Sequence, residues 1–450
     1  MSPKETQFPF APIEEYMMRD DTTSHPMDSI RLLHFSGQLC RKTIQSAVEA
    51  VCTRHPLLNS VAEKRGNRHW WVETDQKPEI AFLDADATPE VLNASGFPIM
   101  RPLELLQEPG FRLYAVFSQK ENWTKLLFQF HHSVSDGLGE MQILGEFVTH
   151  CALYSGLIPQ DTQFPACDIS KLPLRMKVGW TLAGYLRHYF HTAFTTMRLA
   201  FGSPNPLFPH QPVSKDAPPS TVYPFLQSLT LTQDETRTYV QKAKRLGVTV
   251  NDLLLRDFYL TIDAWRVKNC RDFSNGKTRI MVPMTLRQPW HEGIPAANVV
   301  SAIFLDRSKH QISGDPQKLL DSIHREMVWA KTHDQKFVFM LIMYLLQKIP
   351  GVLPFFLRSS KCRATGVLSN LGRVMELAPV PRDPDGRIRL GECVLESIDA
   401  APPIRFKTLI SFSALTYAGT LRLCLRYDDR FMKPKDADDF LRIFHEKLMG

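Results

Sequence analysis

The stretch His131-His132-Ser133-Val134-Ser135-Asp136-Gly137 places two adjacent histidines, an aspartate and a glycine at fixed spacing. Histidine is the one side chain whose unperturbed pKa lies near neutral pH, so an imidazole held at the mouth of a rigid element is suited to take up and return a proton. With 15 His and 22 Gly among 450 residues, a chance H-H-x-x-x-D-G has odds of roughly one in a thousand. The plainer alternative is a pair of strand-end histidines that satisfy backbone groups. Histidine and aspartate are also metal-ligand types. Adjacent strand residues point to opposite faces, however, so His131 and His132 would not easily share one ion. No H-E-x-x-H or paired C-x-x-C lies elsewhere, and no metal is expected.

The elements on either side explain how such a pair would be held. Thr124 to Phe130 is largely apolar and reads as a strand. After the motif, Leu138, Met141, Leu144 and Val148 fall on one helical face. The histidines therefore sit where a buried strand ends and a turn begins. Alternation puts Leu126, Phe128, Phe130 and His132 on one side, and Leu127, Gln129 and His131 on the other.

The heptapeptide resembles the H-H-x-x-x-D-G signature of the CoA-dependent acyltransferase superfamily, which includes chloramphenicol acetyltransferase, alcohol acetyltransferases, condensation domains and wax ester synthases. Further segments are similar in order along the chain. They are Phe10 to Tyr16; a helix candidate from Cys40 to Cys52 followed by Arg54-His55-Pro56-Leu57-Leu58; Gly247 to Leu255, with Asn251 as its expected cap; Val282 to Arg287; Asn298 to Ser301; Gly366 to Gly372; and Leu421 to Tyr427. No D-F-G-W-G segment is present, which disfavours the plant branch. The resemblance implies that His132 is the general base, with His131 and Asp136 completing the motif. It implies that Asp136 pairs with Arg287 to hold the turn, and that Gly137 leaves room for the donor's thioester arm. Asn298, Ser369 and Asn370 are implied to line the substrate path.

The implied fold is α/β (α+β): two chloramphenicol-acetyltransferase-like subdomains meeting in a V, with a tunnel along their interface. At 450 residues the chain exceeds the size at which one core keeps growing, so two domains are expected on size alone. The proline-dense stretch from Gly202 to Ser220 suits an exposed linker. The expected division is 1–205, a linker at 206–222, and 223–450. The implied reaction is transfer of an acyl group from an acyl-CoA or acyl-carrier-protein thioester to a hydroxyl, with no tightly bound cofactor. The alternatives are a stand-alone condensation enzyme that forms an amide, and a non-catalytic binding protein on the same fold. No adenylation or carrier domain accompanies the motif, so a multi-module synthetase is not expected.

Net charge is +7. A basic balance suits CoA phosphates, an acidic carrier protein or an anionic membrane. No basic run interleaved with aromatics supports nucleic-acid binding. Eight scattered cysteines and an N-terminus without an apolar signal core point to a reducing cytoplasm and free thiols. Two segments read either as core helices or as peripheral membrane contacts. One begins at Leu174, with Val178, Leu182, Tyr185 and Tyr189 on one face and Arg175, Lys177, Arg187 and Arg198 interspersed. The other is the apolar run from Phe337 to Leu346, too short to span a bilayer.

Overall fold

Two six-stranded sheets organise the chain, each backed by its own apolar core. The structure is a computed structural model and describes residues 7–93, 96–177, 179, 193, 195, 197–198, 202–208, 223–269, 276–333, 335–358 and 361–450. A small sheet of β1 (Gln7–Pro9), β3 (Ser60–Arg65) and β4 (Arg68–Glu73) flanks the first large one.

The first large sheet contains β2 (Asp28–Ser36), β5 (Glu79–Asp84), β6 (Phe111–Ser118) and β7 (Trp123–His131). Helices α1 (Pro12–Asp20), α2 (Arg41–Arg54) and α3 (Gly137–Tyr154) accompany it. The second contains β8 (Leu226–Thr230), β9 (Lys277–Thr285), β10 (Val300–Ser308), β11 (Gly366–Arg373), β14 (Ile410–Tyr417) and β15 (Thr420–Tyr427). Its helices are α4 (Gln233–Arg245), α5 (Val250–Asn269), α6 (Pro316–Thr332), α7 (Val338–Lys348), α8 (Val352–Arg358) and α9 (Pro434–Met449).

The hydrogen bonding does not respect the midpoint of the sequence. Strands β12 (Arg389–Leu390) and β13 (Cys393–Ala401) come from the second half, yet β13 pairs antiparallel with β2 and extends the first sheet. Arg422 of β15 grips Asp399 of β13 with two hydrogen bonds of 2.7 and 3.1 Å, fastening one sheet to the other. The crossing is thus made by 393–401, while Gly366–Arg373 lies inside the second sheet between β9 and β14.

Several local expectations need correction. Residues 209–222 of the proline-rich stretch lie outside the described residues, and Leu207 is fully buried in the second core rather than exposed. Thr249, not Asn251, caps α5: its hydroxyl accepts from the Asp252 N–H and its own N–H donates to Asp252, a reciprocal capping pair. Leu138 does not share the buried stripe of α3, which runs through Ile143, Leu144, Phe147 and Cys151. The segment from Leu174 ends a 3₁₀ stretch, Ile169–Met176, and Arg175 turns inward to pair with the fully buried Glu14. Arg198 also turns inward, donating to the Phe304 carbonyl, while Val178, Leu182, Tyr185, Arg187 and Tyr189 lie outside the described residues. Among the described residues no helix is long and apolar enough to cross a membrane, and the seven described cysteines are unpaired.

Candidate active site

Strand β7 ends at His131, and the next five residues turn the chain into α3. Asp136 is the N-cap of that helix: its Oδ1 accepts the Gly139 N–H at 2.9 Å. Apolar side chains on one face of β7 (Leu126, Phe128 and Phe130) pack against Ile143, Leu144 and Phe147, which fixes the helix over the strand. The turn between them is therefore held at both ends by buried structure.

The two histidines carry their protons on opposite nitrogens. His132 Nδ1 lies 3.0 Å from the Ser135 carbonyl oxygen, which can only accept, so the proton sits on Nδ1. Its Nε2 keeps a lone pair and has no hydrogen bond among the described residues; the side chain is 16% exposed. His131 is reversed. Its Nδ1 accepts the Ser133 N–H at 3.2 Å, which leaves the proton on Nε2, facing the partly exposed Asp21 at 3.6 Å, while the ring itself is buried. Of the two rings, His132 is the one whose unprotonated nitrogen has no hydrogen-bond partner among the described residues.

Asp136 is the best-satisfied carboxylate of the site. Arg287 forks onto it at 2.7 and 3.0 Å, and Val299 N–H donates at 2.8 Å alongside the Gly139 N–H. Burial works to raise its pKa, but Arg287 and the two backbone donors outweigh it and hold the carboxyl below its ordinary value. Arg287 and Val299 flank the long loop, 286–299, that joins β9 to β10. That loop comes from the second half of the chain and wraps the turn from the first. Gly139 makes the approach possible: a Cβ there would lie 2.2 Å from Ser135 Oγ and 3.2 Å from the Ala297 nitrogen.

Asn298 is part of this wrapping. Its amide nitrogen donates to the carbonyls of His132 and Ser133, both at 2.8 Å, so the side chain shapes the turn from within. Ser369 and Asn370 lie instead on β11, in a cleft of about 360 Å³ lined also by Asp136, Gly137, Leu138 and Arg287. Asn370 Oδ1 accepts the Gly372 N–H at 2.9 Å across a bulge where Gly372 has φ of 68°. A Cβ on Gly137 would meet Leu371 Cδ2, the movable end of a half-buried side chain, at 2.8 Å.

Two residues that sequence reasoning did not single out, and a third that it named only within the segment Arg54 to Leu58, complete the arrangement. Glu140, fully buried, lies one turn into α3 with Oε1 at 3.7 Å from His132 Nδ1. Its other oxygen touches Arg31 at 2.7 Å, an ion contact too bent to count as a hydrogen bond, and Ser29 Oγ donates to Oε1 at 2.5 Å. Glu140 sits on the same stripe as Leu144 and Phe147, and a charge at a core position of an apolar helix was the available signal. Arg31 is likewise a charge inside an apolar strand. The third is His55, whose Nδ1 accepts the Ala296 N–H at 3.0 Å and whose Nε2 lies 3.1 Å from Glu146, tying α2 and α3 to the wrapping loop. Burial raises the Glu146 carboxyl, but His55 and Arg54 bring it down to about 2.

No family model matches the chain, and no curated protein does. Solved structures match over almost all of it. The epimerization domain from the third module of tyrocidine synthetase B superposes with a TM-score of 0.67 at 14% identity, covering 99% of this chain and 96% of that one. The first condensation domain of the CDA synthetase gives 0.66 at 12%, covering 99% and 97%. The starter condensation domain of rhizomide synthetase, solved with C8-CoA and Leu-SNAC, gives 0.66 at 12%, covering 98% and 94%. The two-subdomain α/β architecture described above is thus the condensation-domain fold.

Proposed function

We propose that this chain, built on the condensation-domain fold, transfers an acyl group from a thioester to a hydroxyl acceptor, with His132 as general base. The observation that carries the reading is the fixed tautomer of His132: Nδ1–H is committed to the Ser135 carbonyl, so Nε2 is available to take a proton. As the acceptor oxygen attacks the thioester carbonyl, its proton passes to Nε2. The C–S bond then breaks, and the departing thiolate takes that proton, leaving an ester and a free thiol. The chemistry requires no covalent acyl-enzyme.

Glu140 supports this cycle from below. Once Nε2 is protonated the ring is a cation, and the buried carboxylate at 3.7 Å favours that state. Asp136, Arg287 and Asn298 hold the turn that carries the base. The cleft beside Gly137, Ser369 and Asn370 is sized for a slender thioester arm of CoA or a carrier protein. An amine could replace the hydroxyl with the same residues, giving an amide.

The test is release of free thiol from a panel of acyl-CoAs with pooled alcohols or amines as acceptors, for wild type and His132→Ala. Alcohol-dependent release that the folded variant lacks is the expected result. Release with amines alone makes the enzyme amide-forming. Equal release by His132→Ala removes the assigned base.

A further inference from the structure

The apolar run of α7 has two faces with different fates. Val338, Phe339, Ile342 and Met343 turn inward and pack with α1 and β10. Tyr344 and Leu345 turn outward, Ile349 follows at the end of the helix, and Phe355 on α8 is 81% exposed. A water-facing surface that gathers four large apolar side chains within twelve residues is unusual unless something covers it.

The segment that carries this face has charge of one sign. From Gln335 to Arg363 the sequence holds Lys336, Lys348, Arg358, Lys361 and Arg363 and no acidic residue. Lys336 and Lys348 lie over the rings of Phe337 and Tyr344, at 5.1 and 4.8 Å, and neither pairs with a carboxylate among the described residues. Behind the outer face lies a cavity of about 400 Å³ lined by Leu341, Tyr344, Leu346 and Leu353, with Arg68 and Lys348 also contributing. Its single acid, Glu15, is already engaged by Arg19 and His69.

We infer that the α7–α8 face docks on an anionic phospholipid surface. Exposed apolar side chains accompanied by Lys336 and Lys348, which have no carboxylate partner among the described residues, match the two demands of such a surface: aliphatic burial at the acyl boundary and attraction to phosphate-bearing headgroups. A soluble protein partner would have to be acidic at its rim and apolar at its centre; a bilayer has both properties without any further specificity. The inference is independent of the reaction proposed above.

The full chain is tested by flotation with phosphatidylcholine vesicles with and without phosphatidylserine. Binding is expected with phosphatidylserine, and added salt is expected to release it. Phe355→Asp should weaken binding about tenfold or more. Lys336→Glu with Lys348→Glu should weaken it by at least about fivefold per site and abolish the preference for phosphatidylserine. Phe355 and Lys348 are exposed and Lys336 is half-buried over the ring of Phe337, and unchanged melting curves establish that the variants fold. Failure of the folded wild type to float with phosphatidylserine overturns the inference, as does wild-type flotation of both variants. A concentration-dependent dimer that Phe355→Asp dissolves would reassign the face to self-association.

Discussion

The two sides of the β7 terminus hold the same kinds of groups and treat them in opposite ways. Towards α3, His132 is partly open, its Nδ1 is satisfied, and Asp136 collects donors from Arg287, Gly139 and Val299. Towards the first sheet's other face, His131 is fully buried, and among the described residues its Nε2 lacks a hydrogen-bond partner, as does Asp28 Oδ1. Burial pushes the Asp28 carboxyl up to about 7; His131 and Gln129 pull against this, and Asp21 adds to it. Residue type therefore does not decide chemistry here. A carboxylate rich in donors stays charged and organises a turn, while one with few of them holds its proton up to about neutral pH.

The strongest way to break the comparison is to remove each histidine in turn. His132→Ala should cost about 10²–10⁴ in kcat, the usual worth of a positioned general base. His131→Asn should lower the melting temperature while folded protein keeps activity within about tenfold. Comparable rate losses in both folded variants would mean that the two rings share the reaction.

The carboxylates give the next contrast. Asp136→Ala leaves Arg287 without its partner and should destabilise the fold by about 3–5 kcal/mol, the usual cost of breaking a buried pair. Its depressed pKa means this contribution is present at neutral pH and fades only as pH falls below the ordinary carboxylate range. An Asp136→Ala protein that unfolds in urea like the wild type would remove the turn-holding role. Asp28 has the opposite sign. Folded Asp28 keeps a proton that the unfolded chain releases, so wild type loses stability between about pH 4 and pH 7, by at most about 1.4 kcal/mol per unit. Asp28→Asn cannot lose that proton. The variant should match wild type near pH 4 and exceed it at pH 8 in urea unfolding. Parallel stability curves across that range would show that Asp28 is charged in the fold. The groups facing it are His131, Gln129, Asp21 and Arg426, and they are unchanged in the variant.

The smallest effect sharpens the account of the base. Glu140→Gln removes the charge beneath His132 and should lower kcat about tenfold with KM unchanged, since the imidazolium exists only after proton transfer. A change confined to KM would place Glu140 in ground-state binding instead.

Some of this was legible in the residues alone. The strand–turn–helix around 131–137 followed from the apolar run before it and the helical spacing after it, and alternation sorted the two histidines to opposite faces. The pairing of Arg287 with Asp136 was implied by resemblance, since 151 positions separate them along the chain. The resemblance placed Asn298 on the substrate path; in the fold its amide nitrogen donates to the His132 and Ser133 carbonyls of the turn. Glu140 and Arg31 carried a signal, charge inside an apolar pattern, that was visible but went unread. The outward face of α7 could not be separated from its inward one, because eleven residues of nearly unbroken apolar sequence contain no periodicity.

Sequence by itself determined the local units: where β7 stops, where α3 begins, and that two imidazoles at that junction point to opposite faces. Those outcomes depend on neighbours a few residues apart, through backbone alternation and helical spacing. Tertiary structure alone decided which histidine is open, which carboxylate is fed with donors, and that β13 completes the opposite sheet. These depend on what residues hundreds of positions away bring into contact. Burial and hydrogen-bond partners set protonation, and both belong to the packed molecule rather than to the chain.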